Sequence, residues 1–433
     1  MDIKITPSKL IGTVNIPSSK SMTHRMLICA ALANGQSKIS NITFSKDIYA
    51  TINALTAIGA DIKINEDSAT VLGINNVSDI AEIDCCESGS TLRFLIPITA
   101  ALGINSTYTG QGRLPERPIT PYLRELTKYG IKFEYNNTMP FNMFGKLKCG
   151  EFKLEGNISS QFITGLLFAL PLLSFDSIIE ITTPLESKGY IDLTLQVLKL
   201  YGIEVVNHES KPYADMTIKC LNTFGIEITE TEKGYFIKGN QKYKPKNIVV
   251  EGDYSQAAFF YVANILGNDI NINNLKENSL QGDKKIVEIT RNLCYNENNE
   301  PNGFSINAAD IPDLVPILGV LGTFCQGKSL IYGAERLKIK ESDRLESTSA
   351  ALNALGGNIT AENDGLSILH SVLKGGVVDS FGDHRIAMSA AIAATVCSEP
   401  VIIKNADAVE KSYPDFFKDY QKLGGIIDVI TLE

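Results

Sequence analysis

The chain has 433 residues, with 40 Lys and Arg against 49 Asp and Glu. Its formal charge of −9 excludes a nucleic-acid or anionic-membrane binder held by bulk charge. With 44% apolar and 21% charged residues the composition is neither disordered nor fibrous, and at roughly 100 to 200 residues per domain the length suggests two or three domains.

In chain order, six segments share a short polar or glycine-bearing start that opens a helix of small and apolar residues. They are SSKSMTHRMLICAALANG, ESGSTLRFLIPITAALG, NISSQFITGLLFALPLL, GDYSQAAFFYVANILG, IPDLVPILGVLGTF and GDHRIAMSAAIAATVC. A helix apolar on nearly every face is a buried one, so each is predicted at the centre of a lobe with mainly its N-terminus exposed. With Ser21, Ser90, Ser160, Ser255, Asp313 and Asp383 as anchors, the separations are 69, 70, 95, 58 and 70 residues, a period near 70 read six times.

Inside the period an amphipathic helix ends in Gly and runs straight into a β-branched strand. Gly59, Gly130, Gly202, Gly225, Gly356 and Gly424 suit the left-handed position that stops a helix. Each unit is therefore about βαβαββ. Residues 186–205 and 209–228 are near copies offset by 23, so the third unit carries an extra helix-strand element. The fourth unit is short, and NLCYNENNEPNGFSI lacks the helix-Gly-strand signature, which predicts a degenerate edge. Six units divide into two lobes of three, with GNQKYKPKNIVVEGD as the crossing point and extended strands as hinges.

Helix N-termini that share a cleft supply unpaired N–H groups and positive dipole ends, a host for anions. Lys20, Arg25, Arg93, Arg117, Arg344 and Arg385 lie at or near these starts. A cation there opposes the dipole unless something anionic sits beside it. Asp313 and Asp383 suit N-caps or functional carboxylates equally, while Glu341 lies between Lys340 and Arg344, where it stays ionised and able to exchange a proton. The mixture suits a phosphorylated substrate reacting at a hydroxyl. There is no G-x-x-x-x-G-K-[ST], no G-x-G-x-x-G after a strand and no H-E-x-x-H, so nucleotide hydrolysis, dinucleotide redox chemistry and zinc hydrolysis lack support. Structural roles are expected for His24, His208 and His370; His384 is the histidine best placed for a site.

Eight cysteines (Cys29, Cys85, Cys86, Cys149, Cys220, Cys294, Cys325 and Cys397) form no C-x-x-C pair and no metal-ligand spacing, so structural thiols in a reducing cytoplasm are expected. No run reaches about 18 uninterrupted apolar residues, and MDIKITPSKLIGTVNIP has no export pattern.

The strings PSSKSMTHR, ESGSTLRFL, GRLPERPI, SSQF, VEGDYSQAAFF, DIPDLVP, ERLKIKESDRL, GDHRIAM and EKSYPDFF occur in order from end to end, and in combination they resemble the 5-enolpyruvylshikimate-3-phosphate synthase family. The resemblance implies an α/β fold, a two-lobed inverse αβ barrel of six βαβαββ-type repeats, three per lobe. Residues 1–19 with 251–433 would form lobe one, and residues 20–250 lobe two, with the duplicated element at 186–228. It implies transfer of the enolpyruvyl group of phosphoenolpyruvate to the 5-hydroxyl of shikimate 3-phosphate with release of phosphate. It further implies a cytoplasmic monomer with no metal or organic cofactor and no nucleic-acid or membrane partner, whose lobes close on two small-molecule substrates.

By matching motif, Lys20, Ser21, Arg25, Ser159, Ser160, Asp313 and Lys340 would hold shikimate 3-phosphate. Lys20, Gly89, Arg117, Gln161, Arg344, Arg385 and Lys411 would serve phosphoenolpyruvate, where guanidinium geometry suits oxyanions. Asp313, Glu341 and Lys20 would be catalytic: Asp313 helping to accept the proton of the attacking hydroxyl, Glu341 protonating the methylene carbon and later removing a proton. The family's single S-K-x-Y contact has two matches, Ser187/Tyr190 and Ser210/Tyr213. Spacing from SSQ favours the first, spacing to VEGD the second; Ser187 and Tyr190 are preferred. Arg336, where many relatives have Asn, receives no role. The sister transferase acting on UDP-N-acetylglucosamine carries a reactive cysteine in the loop matching TGQGRLPERPI, and this chain has none there. A ligand-binding relative without activity would not need the retained Asp313 and Glu341.

Overall fold

The computed structural model describes residues 1–184, 188–203, 205–207 and 234–430. The chain forms two compact units: Met1–Lys20, Asn41–Asp47 and Val250–Glu433 in unit one, Ser21–Ser40 and Ile48–Val249 in unit two. The segment Asn41–Asp47, expected in lobe two, lies in unit one. Local hydrogen bonds explain this: Thr43 N–H donates to Ser18 Oγ at 2.8 Å, Ser18 N–H to Thr43 Oγ1 at 3.1 Å, and Asn41 Nδ2 to the Val250 carbonyl at 2.6 Å.

Unit two contains three four-stranded sheets of one design, a parallel pair extended by an antiparallel hairpin. In the second repeat, Ile80–Asp84 pairs in parallel with Asn105–Thr109 across the helix Gly89–Leu102. Phe141–Gly145 and Ile131–Glu134 then add antiparallel. The third repeat pairs Glu151–Leu154 with Ser177–Ile181, then Gly234–Ile237, then Val205–Asn207 at the edge. The first copy of the duplicated element, with helix Lys188–Leu200 and strand Val205–Asn207, thus completes this sheet. The second copy, with Ser210, Tyr213 and Gly225, lies outside the described residues, as do Ser187 and His208.

Unit one repeats the design at Ser305–Asn307, Lys328–Tyr332, Leu366–Leu369 and Asn358–Ala361. In its last sheet the N-terminal strand Asp2–Thr6 lies antiparallel between Val401–Lys404 and Ile426–Ile430. The fourth repeat has a two-stranded sheet, Ile11–Asn15 parallel to Asp269–Asn273, followed by the short helix Lys285–Arg291 and turns. The crossing strands occupy equivalent places. Ile11–Asn15 pairs with the strand that follows helix Tyr254–Ile265, and Asn247–Val249 with Gln36–Ser40, which follows helix Lys20–Leu32.

The six repeat helices bury nearly all their side chains, including Leu92–Ala101 and Phe162–Ala169 in unit two and Val315–Thr323 and His384–Ala393 in unit one. Close packing demands small residues: a methyl at Gly165 would lie 2.3 Å from the Arg93 carbonyl on the neighbouring helix. Gly59, Gly130, Gly202, Gly356 and Gly424 all have positive φ, as helix stops require. Beyond Gly130, Gly202 and Gly356, returning backbone caps the last turn: Lys148 N–H donates to the Tyr129 carbonyl, Lys244 to Tyr201 and Lys374 to Leu355.

Burial raises the thiols of Cys29, Cys85, Cys325 and Cys397, which keeps them protonated and unreactive. No helix among the described residues is long and apolar enough to cross a membrane, and none of their acidic, His or Cys groups is arranged to hold a metal ion.

Candidate active site

Unit one gathers three carboxylates around Arg344, which begins the helix Arg344–Ala354 and is 1% exposed. Its Nε donates to Asp383 Oδ2 at 2.7 Å, Nη1 to Asp313 Oδ1 at 2.8 Å and Nη2 to Glu341 Oε2 at 2.7 Å. Burial alone would depress the guanidinium, but Asp383, Glu341 and Asp313 outweigh it and raise its pKa well above the ordinary value. Arg385 holds the other oxygen of Asp313 at 2.9 Å, and also donates to the Asp313 carbonyl at 3.1 Å and to Ser255 Oγ at 3.0 Å. Burial disfavours a charged Asp313, yet the fields of Arg385, Lys340 and Arg344 win and hold its carboxyl well below the usual range. Lys411 Nζ donates to the Gly382 carbonyl at 2.7 Å, and Lys20 Nζ to Asp47 Oδ2 at 2.8 Å.

Asp383 is an N-cap and more. Its Oδ1 accepts from Arg385 N–H at 2.9 Å while Oδ2 takes Arg344. Asp253, at the same place in the fourth repeat, does likewise: Oδ1 accepts from Ser255 N–H at 2.9 Å and from the Ser255 hydroxyl at 2.6 Å, while Oδ2 takes the Lys20 N–H at 3.0 Å. The two carboxylates therefore each tie a helix start to a cationic residue. The shared G-D start of GDYS and GDHR is the sequence signal for this, whereas nothing local marks Asp47. His384 is fully buried, and burial first, then Lys20 and Arg385, push its pKa well below the ordinary imidazole value. Neither ring nitrogen makes a hydrogen bond among the described residues.

Unit two holds the second group. Ser159 caps the helix Ser160–Ala169 by accepting from Gln161 N–H at 3.3 Å, which leaves Ser160 and Gln161 in its first turn. Arg25, 3% exposed, donates to Thr194 Oγ1 at 2.7 Å, the Ser21 carbonyl at 2.8 Å and the Tyr190 carbonyl at 2.9 Å, with its guanidinium carbon 5.3 Å from the Phe94 ring centroid. Burial pulls its pKa down to about 10. These bonds join the helices Lys20–Leu32 and Lys188–Leu200, so Arg25 braces Ser21 and Tyr190 as well as carrying charge. Gly89 has a specific neighbour: a methyl there would lie 2.7 Å from Arg117 Nη1. The room that Gly89 provides is filled by the guanidinium of Arg117, itself buried. Arg93 Nη1 donates to Gln161 Oε1 at 2.7 Å. His24 is buried against Thr51, 2.7 Å from Nδ1 to Oγ1.

Guanidinium groups beside ionised carboxylates can bind oxyanions and exchange protons in one place. The family model described as EPSP synthase (3-phosphoshikimate 1-carboxyvinyltransferase) matches residues 5–210 and 203–420. A 3-phosphoshikimate 1-carboxyvinyltransferase of Clostridium novyi is 46% identical over 449 residues, covering 99% of this chain and 98% of the relative. One of Clostridioides difficile is 46% identical over 450 residues, covering 98% of each. Among solved structures, EPSP synthase from Acinetobacter baumannii aligns with a TM-score of 0.77 at 23% identity, over 99% of this chain and 100% of that one. The enolpyruvyl transferase NikO from Streptomyces tendae aligns at 0.75 and 14%, over 99% and 98%. These two likenesses speak to the fold.

Proposed function

The chain belongs to the EPSP synthase (3-phosphoshikimate 1-carboxyvinyltransferase) family, and from that premise we propose that it transfers the enolpyruvyl group of phosphoenolpyruvate to the 5-hydroxyl of shikimate 3-phosphate, releasing phosphate. The observation that carries the reading onto this chain is Arg344 holding Asp313 and Glu341 together, with Arg385 on the far oxygen of Asp313.

In this reading Arg344, Arg385, Lys411, Lys20 and Arg117 receive the phosphate and carboxylate of phosphoenolpyruvate, Gln161 serves the same substrate, and Gly89 seats Arg117. Ser159, Ser160, Ser187 and Tyr190 serve the phosphate of shikimate 3-phosphate, and Lys20, Ser21 and Arg25 help to hold that substrate. Asp313 and Lys340 take the ring hydroxyls. The 5-hydroxyl oxygen bonds to the central carbon of phosphoenolpyruvate as Asp313 accepts its proton and Glu341, having taken up a proton for the step, passes it to the methylene carbon. The C–O bond to phosphate then breaks as Glu341 takes a proton back from the new methyl group, and the departing phosphate carries off the proton that Asp313 held. Asp313 is a weak base while its oxygens face two guanidinium groups. An anion received by Arg344 and Arg385 offsets their field, so the substrate itself raises the basicity of Asp313. The reading includes a cytoplasmic monomer, whose mass in solution light scattering measures.

Phosphate release by the purified protein, requiring both shikimate 3-phosphate and phosphoenolpyruvate, tests the reading. Release with UDP-N-acetylglucosamine in place of shikimate 3-phosphate, and none with the proposed pair, overturns it.

A further inference from the structure

Arg93 sits in the second turn of the helix Gly89–Leu102 and is 2% exposed. Its Nη1 donates to Gln161 Oε1 at 2.7 Å, its Nη2 to the Pro118 carbonyl at 3.4 Å, and its guanidinium carbon lies 5.0 Å from the Phe162 ring centroid. On the other side of the same amide, Gln161 Nε2 donates to Ser90 Oγ at 3.0 Å. A guanidinium has donors and no acceptor, so only the carbonyl end of Gln161 can face it. Chemistry thus fixes which way the amide points. Pro118 directly follows Arg117, so the second arm of the guanidinium reaches the segment that carries another proposed anion-binding residue.

We propose that Arg93 is a positioning residue for the anionic substrate: it turns Gln161 so that the amide N–H not given to Ser90 faces the ligand, and it ties down the backbone beside Arg117. The anion meets a donor at Gln161 because Arg93 has taken the acceptor. Sequence alone suggests that a cation at this helix start calls for an anion. The structure instead places carbonyl oxygens and an aromatic face around it, and passes the recognition to its neighbours. This inference rests on the proposed roles of Gln161 and Arg117 in binding phosphoenolpyruvate.

Steady-state kinetics on Arg93→Lys and Gln161→Glu, each with both substrates varied, tests it. An ammonium cannot span two carbonyl oxygens as a planar fork does, so R93K is expected to raise KM for phosphoenolpyruvate about tenfold or more. KM for shikimate 3-phosphate should stay within about twofold and the melting temperature near that of the wild type. Q161E keeps a partner for Arg93 but offers oxygen instead of N–H, so it should raise the same KM with no loss of melting temperature. A wild-type KM for phosphoenolpyruvate in R93K, or a fall in kcat and melting temperature with both KM values unchanged, overturns the proposal. If R93K does not fold, Q161E decides, and an unchanged KM there overturns it equally. Turnover by the wild type, measured alongside, reports on the proposed reaction itself; a silent wild type overturns both.

Discussion

Glu341 reaches Arg344 three residues along the chain, whereas Asp313 and Asp383 reach it across 31 and 39 residues. Replacing Glu341 by Gln keeps an acceptor for Arg344 but removes the acid, so Glu341→Gln is expected to retain substrate binding and lose about 10²- to 10⁴-fold in kcat, read by steady-state phosphate release and calorimetric titration. Gly89→Ala would push the guanidinium of Arg117 aside. Its expected signature is a roughly 10- to 100-fold rise in KM for phosphoenolpyruvate at nearly constant melting temperature. His384 makes a different prediction. Its folded pKa is depressed, so the unfolded chain binds a proton there that the folded one does not. Stability from this group is full above about pH 6.5 and falls by about 1.4 kcal/mol per pH unit as the pH drops below that value. Urea unfolding of His384→Gln between pH 7 and 5 should lose that slope; an unchanged slope would mean that the imidazole is protonated in the folded protein.

Much at this scale was legible in advance. Arg344, Arg385, Asp313 and Glu341 lie in motifs, and the structure joins them by hydrogen bonds. The groups that hold them were not legible. Asp47 acts on Lys20, Ser255 on Arg385 and Arg93 on Gln161, across 27, 130 and 68 residues, and no local pattern records such pairings.

At the scale of elements, the near-70-residue period and the glycine stops follow from local chemistry, and they are present in the sheets and helix ends. The placement of Asn41–Asp47 in unit one does not, because it depends on bonds to Ser18 and Val250 that periodicity cannot register. The duplicated element is decided by pairing. Asn207 opposes Tyr235 in the third sheet of unit two. Removing residues 208–230 would leave four residues between them. That equals the connections between Ile64 and Ala69 and between Ala361 and Leu366 in two other repeats. The shortened chain is therefore expected to fold and to release phosphate within about twofold of the wild-type rate, since tight hairpins of this length close readily. A folded but inactive deletion would show that the second copy is needed for turnover.

For the molecule as a whole, each unit has its own buried core, and the strand Asp2–Thr6 is central to the last sheet of unit one. Ile3 and Ile5 are buried there, so Ile5→Ala is expected to cost about 2–5 kcal/mol in a denaturant melt, despite lying at the very start of the chain. The formal charge of −9 describes the molecule's average and says little about the candidate site, whose Arg344, Arg385, Lys340, Lys411 and Lys20 all belong to unit one.

The position of that first strand also sets an order of events during synthesis. Asp2–Thr6 leaves the ribosome some 400 residues before its partners, Val401–Lys404 and Ile426–Ile430. Unit two, whose segments lie between residues 21 and 249, has every partner strand in hand long before then. The nascent chain can thus finish unit two while the strand Asp2–Thr6 still waits for its partners to emerge.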